Sequence, residues 1–264
     1  MTITLPEFDA PPVVETVLGG QFDRLEFSNA LAGWYWKSKL GDQWATATDA
    51  QRLDDVFERW GDDRKWADPT PRVRISQDPN SRLQIIREDG TRMVQVQDSR
   101  FIYNWKKNEE SSYPTYQILL PEFKDQVEKF GDFIQASELG AITFNQWEVV
   151  YVNRIPKGVL WETPRDWSKI FPNFQFPMDG LLPDSFVGVW HHTLEENRGR
   201  LHIDLKHAKI ESGEEILQLQ LTARGPVDEN VDLYAGFDLG HETIVQAFAS
   251  MTSEFAHKHW KRNL

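Results

Sequence analysis

Residues 82–105, RLQIIREDGTRMVQVQDSRFIYNW, decide the fold. They contain three short runs rich in β-branched and aromatic residues, Arg82–Arg87, Arg92–Gln97 and Phe101–Trp105, and the turn residues Glu88-Asp89-Gly90 separate the first two. In the middle run valine alternates with glutamine, which is typical of a strand with one buried face. The segment therefore predicts an antiparallel meander, and Arg72–Ser76 predicts a further strand before it.

The sequence on either side of this meander predicts one strand and two helices. Val13–Phe22 is rich in β-branched residues and predicts a strand. Ser28 is a typical N-cap for a helix that ends near Leu40. Apolar residues recur at steps of three or four between Pro114 and Glu138, which predicts a long amphipathic helix.

The second half of the chain predicts the same kinds of element. Its strand candidates are Ile142–Asn153, Phe186–Leu194, Leu201–Ile210 and Ile216–Arg224, and a helix is predicted over Gly240–His259. We therefore expect an α+β fold built from two β-α-β(3-4)-α half-units, residues 1–140 and 141–264. Each half has one apolar helix face to bury, so one curved antiparallel sheet with the long helices on one face is expected. The order β-α-β-β-β-β-α of the first half is that of the TATA-binding-protein fold, an analogy of element order alone.

Composition excludes several classes of function. The 264 residues include 29 Lys and Arg against 41 Asp and Glu, a net charge of −12, which argues against binding to nucleic-acid phosphates. The absence of cysteine excludes disulfides, thiolate catalysis and Cys-ligated metal sites. No run approaches the ~18 apolar residues of a membrane span, and residues 1–12 lack the pattern of a signal peptide. We expect a cytoplasmic protein without a membrane partner.

A histidine cluster is the strongest candidate for a metal site. His191-His192 and His202-x-Asp204 lie on two strands of one predicted hairpin. One register places His192 opposite Asp204, and another places His191 on the face shared by His202 and Asp204. His192, His202 and Asp204 could thus hold Zn²⁺, Mn²⁺ or Fe²⁺. The alternative is the polar outer face of a half-solvated sheet, and otherwise no cofactor is expected.

The eleven tryptophans suggest a binding surface. Consecutive helical residues point about 100° apart, so Trp34, Tyr35 and Trp36 cannot share one narrow buried face, and at least one should be exposed or at an interface. Indole rings are favoured at binding interfaces. The expected aromatic surface comprises Trp36, Tyr35, Trp105, Tyr113 and Tyr116. The alternative is that these large rings fill a thin core.

Three stretches carry a resemblance: Pro11-Pro12-Val13-Val14-Glu15, then Asn104-Trp105 with Tyr113-Pro114-x-Tyr116, and last Tyr151-Val152-Asn153-Arg154. In this order they resemble a sporadically distributed family of uncharacterised bacterial proteins. The chain departs from the family pattern at Lys106 and Thr115, where arginine is expected. The patchy distribution of that family is similar to that of mobile defence and toxin–antitoxin genes, which implies a partner-binding role.

The residues and the resemblance together predict a non-enzymatic cytoplasmic protein that binds or regulates a partner, as an antitoxin-like component of a bacterial defence system would. Its acidic surface suits a protein partner with a basic surface, and a second copy of the chain is another expected partner. Two alternatives remain open at this point. One is a metal-dependent enzyme that uses His191 or His192 with His202 and Asp204. The other is a small-ligand sensor with a pocket between the sheet and the helices.

Overall fold

The computed structural model describes residues 5–59, 81–174, 181–229 and 231–263. The strands in these ranges are β1 (Val13–Phe22), β2 (Thr46–Ala50), β3 (Arg82–Ile86), β4 (Arg92–Gln97), β5 (Arg100–Lys106), β6 (Phe144–Pro156), β7 (Val187–Thr193), β8 (Arg200–Lys209) and β9 (Glu215–Pro226). The helices are α1 (Asn29–Lys39), α2 (Tyr116–Ala136), α3 (Trp167–Ile170), α4 (Leu233–Met251) and α5 (Glu254–His259). The α+β class is confirmed.

The strands form one antiparallel sheet in the order β2-β3-β4-β5-β1-β6-β9-β8-β7. Strand β1 lies in the middle because it pairs with β5 on one side and β6 on the other. Its Gly20 stands between Phe101 of β5 and Trp147 of β6. The two halves of the chain therefore share one continuous sheet.

The long helices pack on the sheet face that carries Phe101 and Trp147. Helix α2 places Phe123 and Phe130 against Phe101, with ring centroids 5.7 and 5.2 Å apart. Helix α4 crosses Trp147 at Gly236, where a Cβ atom would lie 2.3 Å from the indole ring. Glycine is required there because the helix backbone approaches the ring so closely. None of the helices in the described ranges combines the length and apolarity that a bilayer crossing requires.

The opposite face of the sheet is polar, and a segment of the chain lies across it. Residues 51–59 follow β2 without forming a helix or strand. We call these residues the strap. The side chain of Gln97 accepts a hydrogen bond from the backbone N–H of Leu53, and Gln21 accepts one from Val56. The sheet thus has an apolar face under the helices and a polar face under the strap.

Most predicted elements are present, with differences at particular ends. Ser28 caps α1 by accepting a hydrogen bond from Leu31 N at 3.4 Å. Strand β2 carries no strong apolar alternation and was not predicted, and the predicted strand Arg72–Ser76 lies outside the described residues. The predicted C-terminal helix begins earlier, at the N-cap Asp232, and is interrupted where the extended Thr252 ends α4 and Ser253 caps α5.

Candidate ligand-binding cavity

A cavity of about 390 Å³ lies between the sheet and α4, beside the N-terminal end of α2. The segment from Leu5 to Pro11, which we call the N-terminal arm, forms a further wall. The walls are mostly apolar or aromatic, and they are formed in part by Leu5, Pro6, Phe8, Pro11, Val13, Ile244, Val245 and Phe248. Its polar lining includes Tyr113, Tyr116, Gln117, Tyr151, Asn153 and His241. A mostly apolar cavity with a few converging polar groups has the general form of a small-molecule site.

The N-terminal arm is held in place by the C-terminal end of the chain. Asp9 N donates to Lys261 O and Ala10 N donates to Trp260 O, each at 3.1 Å. Phe8 packs edge-on against Phe248 of α4, with ring centroids 5.4 Å apart. Both ends of the described chain therefore help to build one wall of the cavity.

A hydrogen-bonded chain of two tyrosines and a histidine runs along the polar side of the cavity. Tyr113 Oη donates to Tyr151 Oη at 2.9 Å, and Tyr151 Oη lies 2.8 Å from His241 Nδ1. The His241 ring stacks on Tyr116, with centroids 4.1 Å apart and planes 9° apart. Tyr116 in turn donates to Asp238 Oδ1 at 2.7 Å. The packing and hydrogen bonds fix the orientation of all four rings.

Burial keeps this hydrogen-bonded chain of Tyr113, Tyr151 and His241 uncharged at neutral pH. It lowers the pKa of His241 to about 4, although the nearby charge of Asp238 acts in the opposite direction. Burial also raises the pKa of Tyr113 to about 12 and that of Tyr151 well above its ordinary value. Neutral His241 accepts from Tyr151 at Nδ1 and carries its proton on Nε2. The donors run from Tyr113 to Tyr151 to His241, and a hydroxyl oxygen has two lone pairs, so beside its contact with the Thr16 side chain the Tyr113 oxygen can accept one further hydrogen bond.

The charges around the cavity disfavour an anion. Its described lining residues include Glu7 and Asp9 but no lysine or arginine. Glu7 and Asp9 are exposed at the arm, while the interior polar groups are neutral. An anionic ligand would lose its hydration without gaining a cationic partner. The cavity therefore suits an uncharged or positively charged molecule.

The backbone of Thr115 is strained where it lines the cavity. This residue has φ 71° and ψ 158°, a conformation that β-branched residues rarely adopt. It precedes α2 and offers no side-chain cap to that helix. Strain of this kind is concentrated at binding and catalytic sites, where the surrounding structure maintains it.

The structure separates the five residues of the expected aromatic surface. Tyr113 and Tyr116 line the cavity rather than the outer surface. Tyr35 and Trp105 are 0% and 1% exposed, so they belong to the core, which corrects their assignment to a binding surface. Trp36 is half-buried and donates to the carbonyl of Trp44 at 2.6 Å.

The prediction that at least one aromatic residue of α1 is exposed is confirmed by Trp34, with 57% of its surface accessible. Trp105 still contributes to the cavity indirectly, because its ring packs edge-on against Tyr113 at 5.4 Å between centroids. Trp36 and Trp105 therefore have structural roles, whereas Tyr113 and Tyr116 supply polar groups to the cavity.

The hairpin register corrects the proposed metal ligands. His191 pairs with His202, while His192 pairs with Leu201 and points to the other face of the sheet. His191 Nδ1 lies 2.9 Å from His202 Nδ1. Asp204 is opposite Val189, and no group of three His, Cys, Asp or Glu in the part of the chain that the structure describes could hold a metal ion. His202 instead contacts the strap, through Glu58 at 2.7 Å.

Sequence reasoning missed the role of His241 and Tyr151 in the cavity. His241 lies on the same helical stripe as Ile244, Val245 and Phe248, all of which line the cavity. A polar residue within an apolar stripe is the signal that could have identified it, because a buried polar group needs a hydrogen-bond partner.

The arrangement therefore combines apolar walls, an oriented uncharged hydrogen-bonded chain and a strained residue, Thr115, immediately before the start of α2. Comparison of the chain with protein-family models, with curated proteins and with solved structures finds no significant match.

Proposed function

We propose that the protein is a regulatory protein that binds a small molecule in the cavity between the sheet and α4. The observation that carries this proposal is the neutral Tyr113–Tyr151–His241 chain within mostly apolar walls. The volume of about 390 Å³ falls in the range of roughly 300–1,000 Å³ that is common for small-molecule sites. Of the functions considered from the sequence, the small-ligand sensor has the most support.

The ligand has an apolar body and one hydrogen-bond donor, such as a hydroxyl or an amine N–H. The donor binds at Tyr113 Oη, which has already given its own proton to the bond with Tyr151. The apolar body packs against Ile244 and Phe248. The absence of lysine and arginine from the described lining favours an uncharged ligand or a cation over a carboxylate or phosphate.

A regulatory role follows from the way the cavity is built. The N-terminal arm and the segment after α5 close one wall together, through backbone bonds such as Asn263 N to Glu7 O at 2.9 Å. A ligand that contacts this wall stabilises the docked arm, and binding is thereby linked to the position of both chain ends. The cytoplasmic location, the partner with a basic surface and the antitoxin-like role in bacterial defence remain predictions from composition and resemblance.

We also propose that the order of elements is related to that of the TATA-binding protein. The strand order, with β1 and β6 adjacent and a group of strands outside each, supports a relation between the two halves. The likeness concerns topology and carries no conclusion about the ligand.

Titration with N-phenyl-1-naphthylamine tests the function. This fluorescent probe is uncharged, mostly apolar and has one N–H donor. We expect saturable 1:1 binding to the wild-type protein and loss of binding in Val245→Phe, because the added ring occupies the cavity. Val159→Phe is the matched control, since Val159 is half exposed and does not line the cavity.

A second pair of measurements tests the chemistry of the ligand. Tyr113→Phe keeps the ring but removes the acceptor, so probe affinity should fall about 5- to 10-fold. The anionic probe 8-anilinonaphthalene-1-sulfonate should bind more weakly than the neutral one. Equal binding of the neutral probe to wild type and to folded Val245→Phe would place the site elsewhere and refute the proposal.

A further inference from the structure

The polar face of the sheet holds the strap in the way that a binding protein holds an extended peptide. Gln97 forms two bonds with the backbone of Leu53, one to its N–H and one to its carbonyl, each at 3.0 Å. Gln21 accepts from Val56 N at 2.9 Å. These hydrogen bonds are made to backbone groups, so they do not depend on the side chains of the strap. The backbone of another extended chain could form the same bonds.

The same recognition continues along the strap. Arg100 donates to the carbonyl of Asp54 at 2.8 Å, and Gln146 accepts from Glu58 N at 3.4 Å. Arg200 donates to the carbonyl of Arg59 at 2.9 Å. Side chains from β4, β1, β5, β6 and β8 thus hold successive backbone groups of one extended segment.

The strap has two buried charged anchors, the guanidinium of Arg52, 2.9 Å from Asp98, and the carboxylate of Glu58. The Glu58 side chain is 4% exposed and lies 2.5 Å from Arg200, 3.1 Å from Arg224 and 2.7 Å from His202. Burial alone would raise the pKa of Glu58, but the hydrogen bond from His202 and the charges of Arg224, His202 and Arg200 hold it below its ordinary value. Three donors around one buried carboxylate form a specific site for an anionic side chain.

The charge of this face differs from that of the whole chain. Arg100, Arg200 and Arg224 lie close together in a protein whose net charge is −12, and Glu148 is the acidic partner of Arg224 at 3.3 Å. The strap carries Asp54, Asp55 and Glu58 against Arg52 and Arg59, a net charge of −1, and its glutamate is the side chain that the arginines of the face bind. A local group of arginines favours acidic segments over other extended chains.

The strap does not use all the hydrogen-bonding capacity of the face. Arg100 Nε and Gln146 Nε2 are buried and have no partner in the part of the chain that the structure describes. The two residues are only 7% and 3% exposed, and both contact the strap through other atoms. Buried donors without partners are rare because they are costly, so these two atoms leave the face able to bind one further acceptor beyond those that the strap offers.

We propose that this face of the sheet binds an extended acidic peptide segment of a partner protein, and that the strap occupies the same place as an internal ligand. The proposal is independent of the cavity on the opposite face. Because the strap is covalently attached, its effective concentration is high, and it competes with any external peptide. Weakening the strap should therefore expose the face to a peptide added in solution.

The test uses a fluorescein-labelled peptide with the sequence of residues 49–59, DAQRLDDVFER, and the full-length protein. Fluorescence anisotropy should show that Glu58→Ala binds this peptide about tenfold or more tightly than the wild type does. Adding Arg224→Ala to that variant should remove at least about tenfold of the affinity, because it takes away a buried charged partner. Arg165→Ala, at an exposed arginine outside the face, is the matched control and should change nothing.

A second protein variant and a second peptide complete the test. Glu58→Gln preserves the shape of the side chain and provides a second folded variant, and a peptide with glutamine at its glutamate position should lose affinity for either variant. If neither folded variant binds the peptide, the strap is a permanent part of the fold and the proposal is overturned. Tighter binding of a single-stranded oligothymidylate than of the peptide would overturn it in favour of a nucleic-acid surface.

Discussion

His241 makes the stability of the protein dependent on pH in a way that the cavity geometry determines. The His241 ring is half-buried, accepts from Tyr151 at Nδ1 and stacks on Tyr116, and desolvation lowers its pKa to about 4 from 6.5. Between pH 6.5 and 4, His241 is therefore protonated in the unfolded chain and neutral in the folded protein. The contribution of His241 to stability is complete above pH 6.5 and is lost as the pH falls towards 4.

The magnitude follows from the two pKa values. Their difference corresponds to about 3 kcal/mol at about 1.36 kcal/mol for each tenfold change in proton affinity. Most of this effect lies between pH 7 and 5, where the loss is about 2 kcal/mol. The ring is partly buried and partly screened by solvent, so this free energy is an upper limit. Asp238 is the charged group near His241. Its negative charge raises the pKa of His241 and only partly offsets the lowering caused by burial.

Urea unfolding at pH 7 and pH 5 measures this effect in the wild type and in His241→Gln, which cannot gain a proton. The wild type should lose about 2 kcal/mol more than the variant between the two pH values. Other titrating groups affect both proteins equally and cancel in the comparison. An equal loss in the two proteins would show that folded His241 is readily protonated, and the neutral chain along the cavity would then be refuted.

Three further predictions concern positions around the two faces of the sheet. Thr115→Gly should raise the free energy of unfolding by about 1 kcal/mol, since it relieves backbone strain; no gain in urea denaturation would show that the conformation is unstrained. Gly236→Ala should lower stability by about 2 kcal/mol through its clash with Trp147, whereas Gly131→Ala, with open space around it, should raise stability by about 0.5–1 kcal/mol in the same assay. Glu58→Ala should cost about 3 kcal/mol because it leaves buried arginines without their carboxylate, and a thermal melt unchanged from the wild type would contradict the observed ion pairs.

The parts of the fold that depend on local pattern could be predicted from the sequence. The alternation in β4 places Val94 and Val96 on the buried helix face, as expected, and Gln95 and Gln97 on the polar face. Ser28 acts as the predicted N-cap because capping involves only residues three positions apart. Strand β2, with its Thr-Ala-Thr-Asp-Ala sequence, lacks that local signal and forms through its pairing with β3.

The register of the histidine hairpin could not be predicted because the turn is longer than expected. Leu194 N bonds to Gly199 O at 2.8 Å, and Glu196 and Asn197 both have a φ of 56° within this turn. The strands therefore close on the pair formed by Thr193 and Arg200. A shift of one residue changes which histidine shares a face with His202.

Burial of the aromatic residues was the least predictable feature. Trp105 alternates with Asn104 along β5, and only the position of α2 and α4 makes the tryptophan face the covered one. The cavity requires the N-terminal arm, the start of α2 and His241 to meet, although they are far apart in sequence. Such a site depends on tertiary packing, which propensity and local periodicity do not specify.

A crystal structure of the protein bound to N-phenyl-1-naphthylamine tests the central claim most directly. The account predicts that the probe lies between the sheet and α4, with its N–H within hydrogen-bonding distance of Tyr113 Oη and its rings against Ile244 and Phe248. Density for the probe at another place, with the cavity unoccupied at saturating concentration, would contradict it.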